Sequence, residues 1–141
     1  MKIAIASDHA GFALKEKIKK SLSKYKLQVK DFGTFSEGSV DYPDYAKLAA
    51  KSVQSKRQDK AVLICGTGQG MAMTANKFKG IRAVACESLY CARMSRAHND
   101  SNVLCLGARV TSSQKALAMV KIWLATKFEG GRHLRRVRKI R

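Results

Sequence analysis

Proline occurs once, at Pro43; aromatic residues make up 7% of the chain; and Asp and Glu together number only 10 among 141 residues. With a single proline and 45% hydrophobic residues, the chain is neither a proline-rich linker nor a disordered segment. No apolar run approaches the roughly 20 residues that a membrane-spanning helix needs. The opening MKIAIASDHAG turns polar too soon for a secretory signal. The four cysteines (Cys65, Cys86, Cys91, Cys105) have no CxxC spacing, which argues against a zinc knuckle. Without an export signal they read as reduced thiols of a cytoplasmic protein. Scarce aromatics, with no basic–aromatic alternation, leave no stacking platform for single-stranded nucleic acid. Zinc-finger spacing, an RNA-recognition signature and heptad repeats are also missing.

The shortage of acids makes the charge conspicuous: 28 Lys and Arg give a formal +18. Such a value invites a nucleic-acid partner, so its distribution matters. Seven lysines and one Glu lie between Lys15 and Lys30, and six basic residues with no acid lie between Arg132 and Arg141. In the first run Leu14, Ile18, Leu22 and Tyr25 recur at helical spacing, and the lysines fill the gaps as a solvated helix face does. The second run is arginine-rich, and arginine forks also hold phosphates.

Strands and helices alternate along the sequence. KIAIAS (2–7), LQVKDF (27–32), AVLIC (61–65), IRAVAC (81–86) and NVLCLG (102–107) read as strands. Helical patterns separate them, with starts marked by Asp41 and Pro43, by Ser88, and by Ser112 or Ser113. This order predicts βαβ units, a five-stranded parallel sheet covered on both faces and a long C-terminal helix followed by a tail: one α/β domain over 1–141. About two-thirds of the unfolded surface is buried in a chain of this size, enough for a core.

Ligands of such sheets bind beyond the carboxyl ends of the strands, where strand order reverses. Two loops stand out there: Asp8-His9-Ala10-Gly11 after the first strand, and Gly66-Thr67-Gly68-Gln69-Gly70 after the third. GTGQG leads into a helix, so its N–H groups suit an anion. It is not a P-loop, because Met71 and Ala72 stand where Lys and Ser/Thr are required. A dinucleotide site finds some support in Glu87, 21 residues after Gly66, but GxGxG departs from GxGxxG and the chain has no room for a second domain. A small phosphorylated or oxyanionic substrate is the remaining reading. Cys65 favours it: a thiol at the end of an apolar strand, against a helix start, is placed to act as a thiolate. His9, His98 and His133 all fall at element ends rather than in apolar stripes.

SDHAG (7–11), DYPDYA (41–46), ICGTGQGMAMTANKFKGIRA (64–83), SRAHNDSNVLCLGAR (95–109) and EGGRH (129–133) together resemble the ribose-5-phosphate isomerase B family, which also includes bacterial galactose-6-phosphate isomerase subunits. The resemblance runs through nearly the whole chain in order. It implies a Rossmann-like αβα sandwich, a homo-oligomer (dimer or tetramer) with active sites between subunits, and aldose–ketose isomerisation of a sugar phosphate without metal or organic cofactor. It further implies Cys65 as general base, with His98 as proton donor in ring opening and Thr67 and Asp8 assisting. Gly66, Gly68, Gln69 and Gly70 would cradle the enediolate and Asn99 would contact the sugar, while His9, Arg109, Arg132 and Arg136 would hold the phosphate. Some family branches carry a glutamate in the glycine loop; Met71-Ala72-Met73-Thr74 contains none, which leaves Cys65 as that loop's candidate base. Arg135, Arg138, Lys139 and Arg141 match no family motif.

Three function classes follow. The first is a pentose-phosphate isomerase. The second is the same chemistry on a six-carbon sugar phosphate, with Tyr42, Gln69 and Met71 setting pocket depth. The third is a nucleotide- or nucleic-acid-binding module, suggested by Glu87 and the net charge. The isomerase expectation includes neither nucleic acid nor membrane as a partner.

Overall fold

The computed structural model describes residues 1–140; Arg141, the last of the basic tail, lies outside the described residues. In chain order the strands are β1 (Lys2–Ser7), β2 (Gln28–Asp31), β3 (Lys60–Cys65), β4 (Ala83–Ala85) and β5 (Val103–Gly107). The helices are α1 (Phe12–Leu22), α2 (Tyr42–Gln54), α3 (Gln69–Ala75), α4 (Leu89–Ala97), α5 (Ser113–Ala125) and α6 (Gly131–Val137). All sheet pairings are parallel, in the order β2-β1-β3-β5-β4. β4 and β5 are exchanged relative to the simplest flavodoxin-like order, while the reversal between β1 and β3 is kept.

The apolar runs become strands because both faces of the sheet are covered. Ala4, Ala6, Ala61, Leu63 and Cys65 pack with α2 and α3 residues such as Ala46, Ala49 and Met71. Ile3, Ile5, Val62, Ile64, Leu104 and Leu106 pack on the other face with Ile18, Met119, Val120 and Trp123. Burying one large aliphatic side chain contributes about 2 kcal/mol, so these central strands dominate the core.

Capping follows the sequence signals. Asp41 stands before α2 with Pro43 in its first turn, and the Ser88 and Ser112 hydroxyls accept from the N–H groups of Cys91 (3.1 Å) and Lys115 (3.3 Å). Three details differ from the reading of the sequence. Helix α1 stops at Leu22, before Tyr25, which is exposed. The C-terminal tail is not structureless, since Gly131–Val137 coil into α6. Lys15 is not part of a solvated face either. It is fully buried, with its Nζ 2.5 Å from Asp31 Oδ2 and 3.1 Å from Glu16 Oε1, and lies near the Phe12 and Phe35 rings. A buried ammonium needs such partners, whereas hydrophobic spacing alone treats every lysine between apolar positions alike.

Candidate active site

The carboxyl ends of β1, β3 and β5 converge on one group of candidate residues. Gly11 lets the first loop lie against β3: a Cβ there would sit 2.5 Å from the Ile64 carbonyl oxygen. The loop is closed by the buried Asp8, whose Oδ1 accepts from the Gly11 N–H at 3.0 Å. His9 Nδ1 lies 3.2 Å from both the N and O of Val40, which anchors the ring to the loop ahead of α2.

Cys65 ends β3 with its side chain buried, and the Gly68 N–H donates to its Sγ at 3.1 Å. A sulfur accepts such a bond better as thiolate than as thiol. Gly68 has φ +81°, the left-handed conformation that turns this N–H back toward the strand end before α3 begins. Arg109, just beyond β5, donates its backbone N–H to the Gly66 carbonyl at 3.0 Å, and its guanidinium lies alongside Gly66. Thr67 and Gln69 are exposed at the loop mouth. The Tyr42 ring crowds Gly70, where a Cβ would be 2.6 Å from the ring atoms. Of the three residues expected to set pocket depth, Tyr42 and Gln69 border this loop; Met71 is fully buried in the core and does not line it.

The remaining candidates stand at the opposite end of the sheet. Helix α4 starts beyond the end of β4 and runs back, so its C-cap His98 lies where the strands begin. The following loop is fixed there. Asn102 N–H donates to the Arg82 carbonyl ahead of β4 (3.1 Å), Arg96 Nη1 donates to Ser101 O (2.6 Å) and Asp100 Oδ1 (2.8 Å), and Trp123 Nε1 donates to Ser101 Oγ (2.8 Å). The five steps of about 3.3 Å from Lys60 to Cys65 put roughly 16 Å of sheet between the two ends. His98 and Cys65 of one chain therefore do not meet.

At this second end the imidazoles of His98 and His133 stack, with centroids 4.2 Å apart and an interplanar angle of 6°. Glu129 Oε2 lies 3.8 Å from His98 Nε2 and 3.6 Å from His133 Nε2. The Glu129 N–H donates to the Ala97 carbonyl at 3.0 Å, which ties the start of α6 to the end of α4. Desolvation, then the neighbouring His98 and Arg132, push the His133 imidazole below its usual range against the pull of Glu129. Arg132 and Arg136, one turn apart on α6, are exposed, as is Asn99 beside His98. The pairing of Glu129 with both rings had no signal in the sequence beyond the spacing of EGGRH.

The other three thiols lie outside the glycine loop. Burial pushes the Cys86 thiol up to about 11 and the Cys105 thiol well above its ordinary value, while Cys91 is exposed. Glu87 follows β4, and β5 separates β4 from β3, so this acid is not on the strand neighbouring the glycine loop as a ribose-binding acid would be.

The ribose/galactose isomerase family model matches residues 3–140. The chain belongs to this family. Among its members, ribose-5-phosphate isomerase B of Escherichia coli is 48% identical over 139 residues, covering 99% of this chain and 93% of that protein. The Clostridium thermocellum ribose-5-phosphate isomerase B structure superposes with a TM-score of 0.98 at 51% identity, covering 99% of this chain and 95% of that one. A Mycoplasma genitalium ribose-5-phosphate isomerase B, solved with bound ribulose-5-phosphate, gives 0.95 at 42% identity over 99% of this chain and 93% of that one. Membership accounts for the fold and for the order of the motifs. Within this isomerase frame, the two separated groups of residues become the feature that needs explaining.

Proposed function

We propose that residues 1–141 form one sugar-phosphate isomerase domain that interconverts ribose 5-phosphate and ribulose 5-phosphate. The observation that carries this reading is Cys65 Sγ, held at 3.1 Å by the Gly68 N–H in a glycine loop of an isomerase-family chain. After ring opening, the Cys65 thiolate takes the proton from C2 of the aldose and returns it to C1, while the hydroxyl proton of O2 passes to O1. The charge that develops on oxygen between the two transfers meets the N–H groups of Gly66, Gly68, Gln69 and Gly70, each preorganised donor being worth about 3 kcal/mol. Asp8 and Thr67 orient the hydroxyls, and His98 passes the ring-opening proton, a role suited to imidazole near neutral pH.

The active site is read as shared between two copies of the chain. One copy supplies Asp8, His9, Cys65, Thr67 and Arg109; the other supplies His98, Asn99, Arg132 and Arg136, so that His9 and the arginines clamp one phosphate. The roughly 16 Å of sheet between the two groups within a chain supports this arrangement, which makes the enzyme a dimer at least. The proposal includes a cytoplasmic location and no organic cofactor. No helix among the described residues is long and apolar enough to cross a membrane.

A six-carbon substrate is the competing reading, and the Tyr42 ring against Gly70 argues for the shorter sugar by narrowing the loop mouth. Assaying ribose 5-phosphate beside allose 6-phosphate and galactose 6-phosphate decides between them. The expected result is the highest kcat/KM on the pentose; a higher value on either hexose overturns the assignment.

A further inference from the structure

We propose that His98, Glu129 and His133 bind a divalent transition-metal ion such as Zn2+, and that the bound ion switches isomerisation off. Each of these residues offers one ligand atom, and the three atoms lie within 4.8 Å of one another. Both imidazole Nε2 atoms face the same Glu129 oxygen, at 3.8 and 3.6 Å. In a tetrahedral zinc site with bonds of about 2.1 Å, neighbouring ligand atoms stand about 3.4 Å apart. The cluster is thus already close to the spacing of a three-ligand site, and one position remains open for water.

Binding requires one rearrangement. Stacked, parallel rings do not aim their lone pairs at a common point, so His98 must rotate out of the stack to face the ion. Within one chain the burial pattern allows it: His133 is 7% exposed and fixed on α6, whereas the His98 and Glu129 side chains are 36% and 59% exposed. The tie from Glu129 N–H to Ala97 O keeps all three residues together while the ring turns. Two imidazoles and one carboxylate select Zn2+, Co2+, Ni2+ or Cu2+ over Mg2+ and Ca2+, which take oxygen ligands. Arg132 and Arg136 on the same helix oppose a dication and lower its affinity without removing the ligands.

Metal binding stands on this geometry alone. The loss of activity rests in addition on the reading of His98 as proton donor, because an imidazole whose Nε2 is held by an ion has no proton there to give. The two parts are tested separately. Co2+ is titrated into the intact protein carrying Cys65→Ala, which removes the thiol of the glycine loop. The expected result is one ion per chain with visible absorption and no thiolate charge-transfer band, and an affinity that falls about tenfold or more when Glu129→Gln is added. A spectrum dominated by thiolate charge transfer, no visible band, or equal affinity with and without Glu129→Gln overturns the site. In the protein with Cys65 present, Zn2+ is expected to inhibit isomerisation, a chelator to reverse it and Mg2+ to have no effect. Glu129→Gln, compared with its own metal-free rate, is expected to be less sensitive. Binding that leaves turnover unchanged overturns the inhibitory half.

Discussion

Mixing two inactive variants should restore activity. Cys65→Ala removes the proposed base at the carboxyl ends of the strands, and His98→Ala removes the proposed proton donor at their amino ends, so each variant alone should lose about 10²–10⁴-fold in kcat. In a two-fold pair containing one chain of each kind, one site carries both defects and the other carries neither. Random assortment of equal amounts makes half of the pairs mixed, and so leaves about one-quarter of all sites intact. After joint dissociation and reassembly, a coupled isomerase assay should therefore read about one-quarter of the unmodified rate, far above either variant treated in the same way. The prediction depends on the roughly 16 Å of sheet that separates His98 from Cys65 in one chain. If a tagged-chain pull-down shows mixed pairs while the rate stays at the level of the separate variants, the shared-site reasoning is wrong.

Gly11→Ala would put a Cβ 2.5 Å from the backbone oxygen of Ile64, so it should displace the Asp8 loop, cost about 1–3 kcal/mol and depress kcat/KM; Gly38→Ala, at an exposed and uncrowded position, should leave melting temperature and turnover unchanged. Burial pushes the Asp31 carboxyl up, but hydrogen bonds from Lys15, Lys19 and the Gly33 N–H outweigh it and hold the carboxyl below its ordinary range. A lowered folded-state value means stability that is complete above the unfolded pKa of about 3.9 and lost as pH falls through the folded value. Asp31→Asn should accordingly cost about 3 kcal/mol at neutral pH, by leaving Lys15 buried with weaker partners, and should flatten the acid limb of a denaturation–pH curve. With iodoacetamide near neutral pH, peptide mass spectrometry should find the exposed Cys91 modified while Cys86 and Cys105 stay unmodified until the protein unfolds; early loss of Cys105 would contradict its burial.

Much of the architecture is legible in the sequence because both faces of the sheet are buried. Runs such as AVLIC and NVLCLG have no other stable place in a chain of this length, and the observed strands fall inside or within one residue of those runs. The edge strand β4 is shorter than IRAVAC suggested: with β5 on one side only, pairing holds for just Ala83–Ala85. Helix α6 escaped the reading because RHLRRVRKIR has little apolar periodicity; His133 is its only buried side chain. The burial of Lys15 was hidden for a related reason, since its partner Asp31 comes from β2 and pairing across elements leaves no periodic trace. The site divides in the same way. Cys65 and the glycine loop are local and readable, whereas the stack of His98 on His133 joins two helices whose contact only the fold creates.

If the site is shared as proposed, the arginines would tie substrate capture to assembly. Each chain carries +18, so two chains approach against like charge, and the proposed junction brings Arg109 of one toward Arg132 and Arg136 of the other. A phosphate seated there would neutralise charge contributed by both chains and bind only the assembled form, so by linkage it would strengthen the pair as much as the pair strengthens its binding. Sugar phosphate then serves as mortar as well as cargo. At low protein concentration turnover should then rise more steeply than in proportion to substrate, because each anion bound would also hold together the two chains that bind it.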